Sequence, residues 1–252
     1  MATVSGSNGD DTLSGTSGDD FIDGLGGIDR ILTLAGTDVV YGGDGNDEIN
    51  SYLATPGDLT SSRLYTFSGK KTVYGGSGDD VIYGGNDDDE LYGEAGNDYL
   101  VGGGGIDRLD GGSGNDQILT GAGNDLVFGG DGNDEINSYL STPGNLNSIV
   151  RYLTAGSKTV FGGNGDDVIY SGNDNGSKLY GETGNDFLHG GDGSETLEGG
   201  DGNDWILTGN GNDLVSGGDG NDEIRSDLAT GNKIIFGGNG EVIPPKNHRA
   251  QK

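Results

Sequence analysis

The sequence predicts an all-β solenoid of short stacked strands, and three observations lead there. A nine-residue unit recurs between Gly6 and Phe236, as in Gly42–Asn50 (GGDGNDEIN), Gly75–Tyr83 (GGSGDDVIY) and Gly199–Leu207 (GGDGNDWIL). The eighth position of the unit is aliphatic in all 22 complete copies, among them Leu13, Ile22, Ile31, Val40, Ile49, Val73, Ile224 and Ile235. Glycine supplies 56 of the 252 residues, about 22% and roughly three times the usual share. Only 30% of the chain is hydrophobic, too little for a broad core. One inward aliphatic per nine residues makes a narrow core instead.

Each position of the unit has a physical task. Glycine at positions one, two and four permits positive φ and close backbone approach, so six residues can curl into a turn. Position six is Asp in 17 units, Glu in one (Glu195), Ser in one (Ser177) and Lys in three (Lys71, Lys158 and Lys233). Positions seven to nine, such as Val81-Ile82-Tyr83, predict a three-residue strand whose central side chain points inward.

The pattern G-G-x-G-x-D-x-U-x resembles the calcium-binding nonapeptide of the repeats-in-toxin (hemolysin-type) family. That resemblance covers nearly the whole chain. It implies a right-handed parallel β-roll with two nonapeptides per coil, about 11 coils here, in which units two apart stack. It also implies Ca²⁺ between stacked turns, held by turn carbonyls and position-six carboxylates, with roughly ten or more ions in total. An all-oxygen ligand set suits Ca²⁺ better than Mg²⁺. The implied ligands on one edge, from the odd-numbered units, are Asp11, Asp29, Asp47, Asp80, Asp98, Asp116, Asp134, Asp167, Asp186, Asp204 and Asp222. On the even edge they are Asp20, Asp38, Asp89, Asp107, Asp125 and Asp213, interrupted by the three lysines, Ser177 and Glu195.

Without metal such an edge is unfavourable. Carboxylates stacked about every 4.8 Å repel by roughly 0.9 kcal/mol per pair in water and about 3.5 kcal/mol at an effective dielectric of 20. Ten ions on the odd edge and three on the even pairs would bring the formal charge of −29 to roughly −3. Metal binding and folding are therefore expected to be one event, with a largely disordered metal-free chain.

A longer period overlies the nonapeptide. Ser51–Tyr65 (SYLATPGDLTSSRLY) and Ser138–Tyr152 (SYLSTPGNLNSIVRY) are related 15-residue inserts, and a third has shrunk to Ser226-Asp227. The domain reading is a single roll over 1–243 with inserts at 51–65 and 138–152, followed by a disordered basic tail at 244–252. The long inserts should leave one edge four coils apart. Each insert precedes a lysine unit, and the expectation is that Lys71, Lys158 and Lys233 replace calcium, their ammonium groups engaging turn carbonyls and an aspartate such as Asp38 or Asp89. A solvated outward lysine is the alternative. Arg63 and Arg151, with Tyr65 and Tyr152 nearby, are either an insert binding site or insert packing, the favoured reading since two copies need only mean duplication. Met1–Val4 is too short to cap the first coil.

Composition excludes several functions. A charge of −29 repels phosphate backbones, so nucleic acid is not an expected partner. No apolar run approaches the roughly 18 residues needed to span a bilayer. The start, MATVSGSNGDD, shows no cleavable signal peptide, and the chain has no Cys. His189 and His248 lack repeated partners, so no catalytic site is expected. Asp131–Glu135 (DGNDE) opens like a helix-loop-helix calcium loop but has Ile136 where that loop needs Gly. The third turn position is mixed (Asn8, Ser17, Gly26, Ala35, Asp44) and is not the flat threonine array of an ice-binding face. The outward ninth position on the even face reads Tyr41, Tyr74 and Tyr92, then Phe128, Phe161 and Tyr180, separated by acids such as Asp110 and Glu198. It is either a cross-strand ladder or a surface for glycans or self-association. The functional expectation is a non-catalytic, extracellular, calcium-loaded structural or adhesive module, secreted without a cleaved signal peptide. The alternatives are a carbohydrate-binding accessory module of a polysaccharide-modifying enzyme, or the folding and secretion module of a larger toxin or hydrolase.

Overall fold

The computed structural model describes residues 1–50, 68–137, 156–172, 175–226 and 230–238. The long inserts, Asp227 of the short one and the tail lie outside the described residues, as does the expected spacing of the inserts. The chain divides into two compact units, Met1–Leu126 and Val127–Lys252. Both are parallel β-solenoid, with about 11 turns in all and no helix among the described residues.

The first unit contains β1 (Ala2–Ser5), β2 (Thr12–Ser14), β3 (Asp20–Asp23), β4 (Arg30–Leu32), β5 (Asp38–Asp44) and β6 (Glu48–Ile49). After the first insert come β7 (Lys71–Ser77), β8 (Val81–Gly85), β9 (Glu90–Ala95), β10 (Tyr99–Gly104), β11 (Arg108–Ser113) and β12 (Gln117–Ala122). Odd-numbered strands form one sheet, β1-β3-β5-β7-β9-β11, and even-numbered strands the other, β2-β4-β6-β8-β10-β12. Successive strands therefore alternate between sheets, which is the two-nonapeptide coil. Ile22 pairs with Val40 and Leu100 with Ile118, each 18 residues on. Across the insert the step is 33, with Val40 opposite Val73 and Ile49 opposite Ile82. The 15 extra residues leave the register undisturbed.

All but the first residue of β13 (Leu126–Asp131) belongs to the second unit, which continues with β14 (Glu135–Ile136), β15 (Thr159–Asn164), β16 (Val168–Tyr170), β17 (Lys178–Thr183) and β18 (Phe187–His189). It ends with β19 (Thr196–Asp201), β20 (Trp205–Leu207), β21 (Asp213–Asp219), β22 (Glu223–Arg225) and β23 (Lys233–Phe236). The alternation repeats, with β15-β17-β19-β21-β23 in one sheet and β14-β16-β18-β20-β22 in the other. Ile136 faces Ile169 after a step of 33, and Val160 faces Leu179 after a step of 19. The single extra residue lies within Ser171–Tyr180, a ten-residue unit.

The position-eight aliphatics line the interior. Ile22, Ile31, Val40, Leu91, Leu109, Val160, Leu197 and Val215 have no exposed surface, and each contributes about 1.5–3 kcal/mol by leaving water. Ile235 in β23 is the exception at 39% exposed, because nothing described stacks beyond it. At the other end the structure extends the sequence reading: Ala2–Ser5 is a strand, with Val4 opposite Ile22.

Stacking is too close for a side chain at the fourth turn position. A Cβ on Gly45 (φ 131°) would lie 1.7 Å from the Gly27 carbonyl oxygen, and one on Gly202 (φ 143°) 1.6 Å from that of Gly184. Position two is less strict. Leu25, Leu34, Glu94 and Glu182 occupy it at φ of 76°, 66°, 76° and 77°, a region that disfavours L side chains.

Candidate metal centre

The position-six aspartates sit where each turn enters its strand, and their two carboxylate oxygens do different things. Oδ1 accepts the backbone N–H of the position-six residue one coil earlier. Asp11 donates to Asp29, Asp29 to Asp47, Asp80 to Asp98 and Asp98 to Asp116, all at 2.8 Å. In the second unit Asp134 donates to Asp167 and Asp167 to Asp186 at 2.8 Å, then Asp186 to Asp204 at 2.9 Å. The even edge follows suit where Asp is present, with Asp20 donating to Asp38 at 2.9 Å and Asp107 to Asp125 at 3.0 Å.

Oδ2 turns back over the glycine at position one of its own unit. A Cβ on Gly24 would lie 2.3 Å from Asp29 Oδ2, and one on Gly199 2.1 Å from Asp204 Oδ2. That oxygen is buried and has no hydrogen-bond partner in Asp29, Asp47, Asp80, Asp89, Asp98, Asp107, Asp167, Asp186, Asp204 and Asp222. Asp116, Asp125 and Asp134 are equally buried. The first turns differ: Asp11 Oδ2 accepts from Ser7 and Asp20 Oδ2 from Thr16. A buried carboxylate oxygen without a donor costs several kcal/mol, so a repeated row of them calls for a cation.

The structure contains a stand-in for one. Lys71 is fully buried, and its Nζ lies 3.1 Å from Asp38 Oδ2. It donates to the carbonyls of Gly36 at 2.7 Å, Gly69 at 2.8 Å and Ser68 at 3.1 Å. A positive charge between two stacked turns thus meets a position-four carbonyl and a position-six Oδ2. The sequence expectation that Lys71 reaches turn carbonyls and Asp38 holds; Asp89 instead accepts the Lys71 backbone N–H on Oδ1 at 2.7 Å.

A family model describing the RTX calcium-binding nonapeptide repeat matches residues 3–31, 23–52, 69–100, 101–136, 154–177, 178–206 and 189–224. The chain belongs to this family. No curated protein matches the sequence. Among solved structures, a hyperactive, Ca²⁺-dependent, β-helical antifreeze protein from an Antarctic bacterium aligns with a TM-score of 0.52 and 19% identity. The alignment covers 93% of this chain and 79% of that one, and it supports the parallel solenoid fold.

RTX repeats bind Ca²⁺, and the donor set here fits that ion. Among the described residues no three carboxylate or imidazole groups converge on one point, so an ion between turns must draw most ligands from backbone carbonyls. Hard oxygen donors of this kind suit Ca²⁺. When bound, calcium supplies the positive charge that the buried Oδ2 atoms lack. Without it the carboxylates are held in a protonatable state. Burial, the largest cause, pushes Asp80, Asp107 and Asp167 up to about 8, Asp89, Asp98 and Asp186 to about 7, and Asp47, Asp116 and Asp204 to about 6. Asp20 moves the other way, held down first by the Thr16 N–H. Glu195 is raised to about 8 by burial and by the facing carboxylate of Asp213.

All 17 sequence-predicted ligands are described, and all are carried at the mouths of the turns. Sequence reasoning missed a second ladder one residue earlier. At position five, Asp79 Oδ1 accepts the Asn97 N–H at 2.7 Å, Asn97 that of Asn115 at 2.9 Å, and Asn185 that of Asn203 at 2.9 Å. This ladder runs opposite to the position-six one, so adjacent turns are clamped in both directions. The signal was visible as Asn or Asp at the fifth position of 15 of the 22 units.

Proposed function

We propose that the chain is a non-catalytic, extracellular structural or adhesive module that folds on binding calcium and takes up ten or more ions. The observation that carries this reading is the run of ten buried Oδ2 atoms without a hydrogen-bond partner, on turns whose carbonyls face the same space. A chain with net charge −29 and a one-residue-wide core gains little from folding until those carboxylates are neutralised. Extracellular calcium is high enough to load modules of modest affinity, in the range of about 10⁻⁴–10⁻³ M. That favours a working form outside the cell.

The aromatic stripe supports a structural role over glycan stacking. Tyr41, Tyr74 and Tyr92 stack with centroids 4.9 Å apart and planes 10° and 7° from parallel. Phe21 covers the far side of Tyr41 at 5.7 Å, and the Arg108 guanidinium lies 5.6 Å from the centre of Tyr92. A sugar stacks on an aromatic face, and these faces are engaged by one another. Calcium titration followed by circular dichroism tests the proposal. A cooperative gain of β signal on adding calcium, reversed by chelator, is the expected result; a fully folded roll in excess chelator overturns it.

A further inference from the structure

We propose that Lys71 and Lys233 are built-in replacements for calcium, so that the even-edge gaps before their turns take no ion and close on the chain's own ammonium groups. The inference rests on the calcium-binding reading above and concerns which gaps between turns the ions use.

The two sites share three contacts although they lie in different units of the chain, and Lys71 adds a fourth, to the Gly69 carbonyl at 2.8 Å. Lys71 Nζ meets the position-four carbonyl of the preceding even turn (Gly36, 2.7 Å), the position-three carbonyl of its own turn (Ser68, 3.1 Å) and the position-six Oδ2 of the preceding turn (Asp38, 3.1 Å). Lys233 Nζ meets Gly211 O at 2.7 Å, Thr230 O at 2.9 Å and Asp213 Oδ2 at 2.7 Å, in the same three positions. Lys71 is fully buried, and the Lys233 side chain is 9% exposed. Neither is a solvated surface lysine.

The backbone has been rebuilt to suit. A lysine cannot supply the Oδ1 that normally receives the N–H of the preceding coil. Here Asp38 N–H donates to the Lys70 carbonyl at 3.0 Å, and Asp213 N–H to the Asn232 carbonyl at 3.1 Å. In both cases the residue before the lysine completes the ladder. Position four stays Gly in both turns, at φ 94° and 88°.

Charge completes the argument. An ammonium offers three protons, here shared among acceptors that in the other turns face the ion row. Its single charge balances the single carboxylate it meets, so the joint is neutral without metal. A calcium ion there would have to displace the ammonium from these oxygens and then sit beside it.

The test is a crystal structure of the full chain grown with calcium, with the ions located by anomalous scattering, together with ion counts by native mass spectrometry for the wild type and Lys71→Asp. Expected is no ion within calcium-ligand distance, about 2.3–2.6 Å, of Gly36 O or Asp38 Oδ2, and one further ion bound by Lys71→Asp. An ion at Gly36 O in the wild type, or an unchanged count in a folded Lys71→Asp, overturns the inference. If Lys71→Asp does not fold, the wild-type crystal decides. Wild-type chain that takes up no calcium anywhere overturns the calcium reading itself, a different result from calcium found at the lysine gap.

Discussion

The two edges of the roll are made from the same nonapeptide yet are held together differently. On the odd edge every described turn presents Asp, from Asp11 to Asp116 in the first unit and from Asp134 to Asp222 in the second. On the even edge the row is cut by Lys71 in the first unit, and by Lys158, Ser177, Glu195 and Lys233 in the second. The outward faces compensate. Tyr74 follows Lys71 on β7 and is the middle ring of the Tyr41–Tyr74–Tyr92 stack. Phe161 follows Lys158 and is the middle ring of the Phe128–Phe161–Tyr180 stack, with centroids 5.3 and 4.9 Å apart. At Lys71, Lys158 and Ser177, where the aspartate row lapses, ring-on-ring contact joins the same strands; at Glu195 and Lys233 the ninth-position residues Glu198 and Phe236 face Ser216 instead. The strands of the odd units also carry ring pairs, tilted or edge-on rather than stacked (Tyr83–Tyr99 at 6.1 Å, Tyr170–Phe187 at 5.6 Å, Phe187–Trp205 at 5.0 Å), so what sets the odd edge apart is its unbroken row of carboxylates.

The largest effect that could break this comparison is that of pH on the calcium-free chain. Burial raises the folded-state values of Asp80, Asp107 and Asp167 from 3.8 to about 8 and those of Asp47 and Asp204 to about 6. A carboxyl whose folded value is raised favours the folded state most below its unfolded value. That preference is lost as pH rises through the folded value. In chelator, β structure should therefore be greatest below about pH 4 and fall progressively through about pH 6–8. Calcium should restore it, with proton release and an affinity that rises over the same window. Circular dichroism across pH with and without calcium measures this. A calcium-free chain more ordered at pH 8 than at pH 4 would contradict the assignment of the buried carboxylates.

Next in size is the removal of one rung of the odd edge. Asp98→Ala leaves the Asp80 N–H without its acceptor and deletes one Oδ2. The unsatisfied buried N–H alone should cost about 1–3 kcal/mol, with fewer ions bound. Asp98→Asn keeps an amide oxygen for the Asp80 N–H but removes the charge. It should retain more stability in chelator than Asp98→Ala while binding calcium as poorly. Equal behaviour of the two variants in both conditions would show that the two oxygens have no separate roles.

That division of labour marks the limit of what the sequence makes legible. The nine-residue period yields the strand alternation, the 18-residue register and its jump to 33 across each insert, because an inward aliphatic cannot slip by one residue without leaving the core. It also picks out the position-six carboxylates and the anomalous lysines. It does not say that Oδ1 accepts from the backbone while Oδ2 is buried without a donor, since both are written as one letter. Ring orientation is likewise invisible: Tyr41, Tyr74 and Tyr92 could equally have lain flat as a sugar platform. Ala2–Ser5 escaped because a strand without its turn has no period to match.

A smaller effect probes the even side. Tyr74→Ala removes two stacked pairs, each worth about 0.2–1 kcal/mol, at the coil where Lys71 stands in place of Asp. Thermal unfolding in saturating calcium should show a loss of about 0.4–2 kcal/mol with the number of bound ions unchanged. A variant that also loses ions would mean that the aromatic face and the metal row are coupled, and the two sides would no longer be independent supports.

The smallest effect has the opposite sign. Glu94 fills position two of an odd-edge turn at φ 76°, where most units have glycine. An L residue in this region costs roughly 1–2 kcal/mol relative to its ordinary conformations, and Glu94 is exposed, so little packing is lost with its side chain. Replacing it also removes a negative charge from an already acidic edge. Against this, glycine gives the unfolded chain more freedom, which takes back about 0.4–1 kcal/mol. The net expectation for Glu94→Gly is a gain of about 0–1.6 kcal/mol, read as a higher unfolding temperature in calcium. Since the turn backbone already has the glycine conformation, the ion count should not change. If Glu94→Gly is destabilising, the position-two side chain contributes to turn stacking in a way its exposure conceals, and the odd edge depends on more than its aspartates.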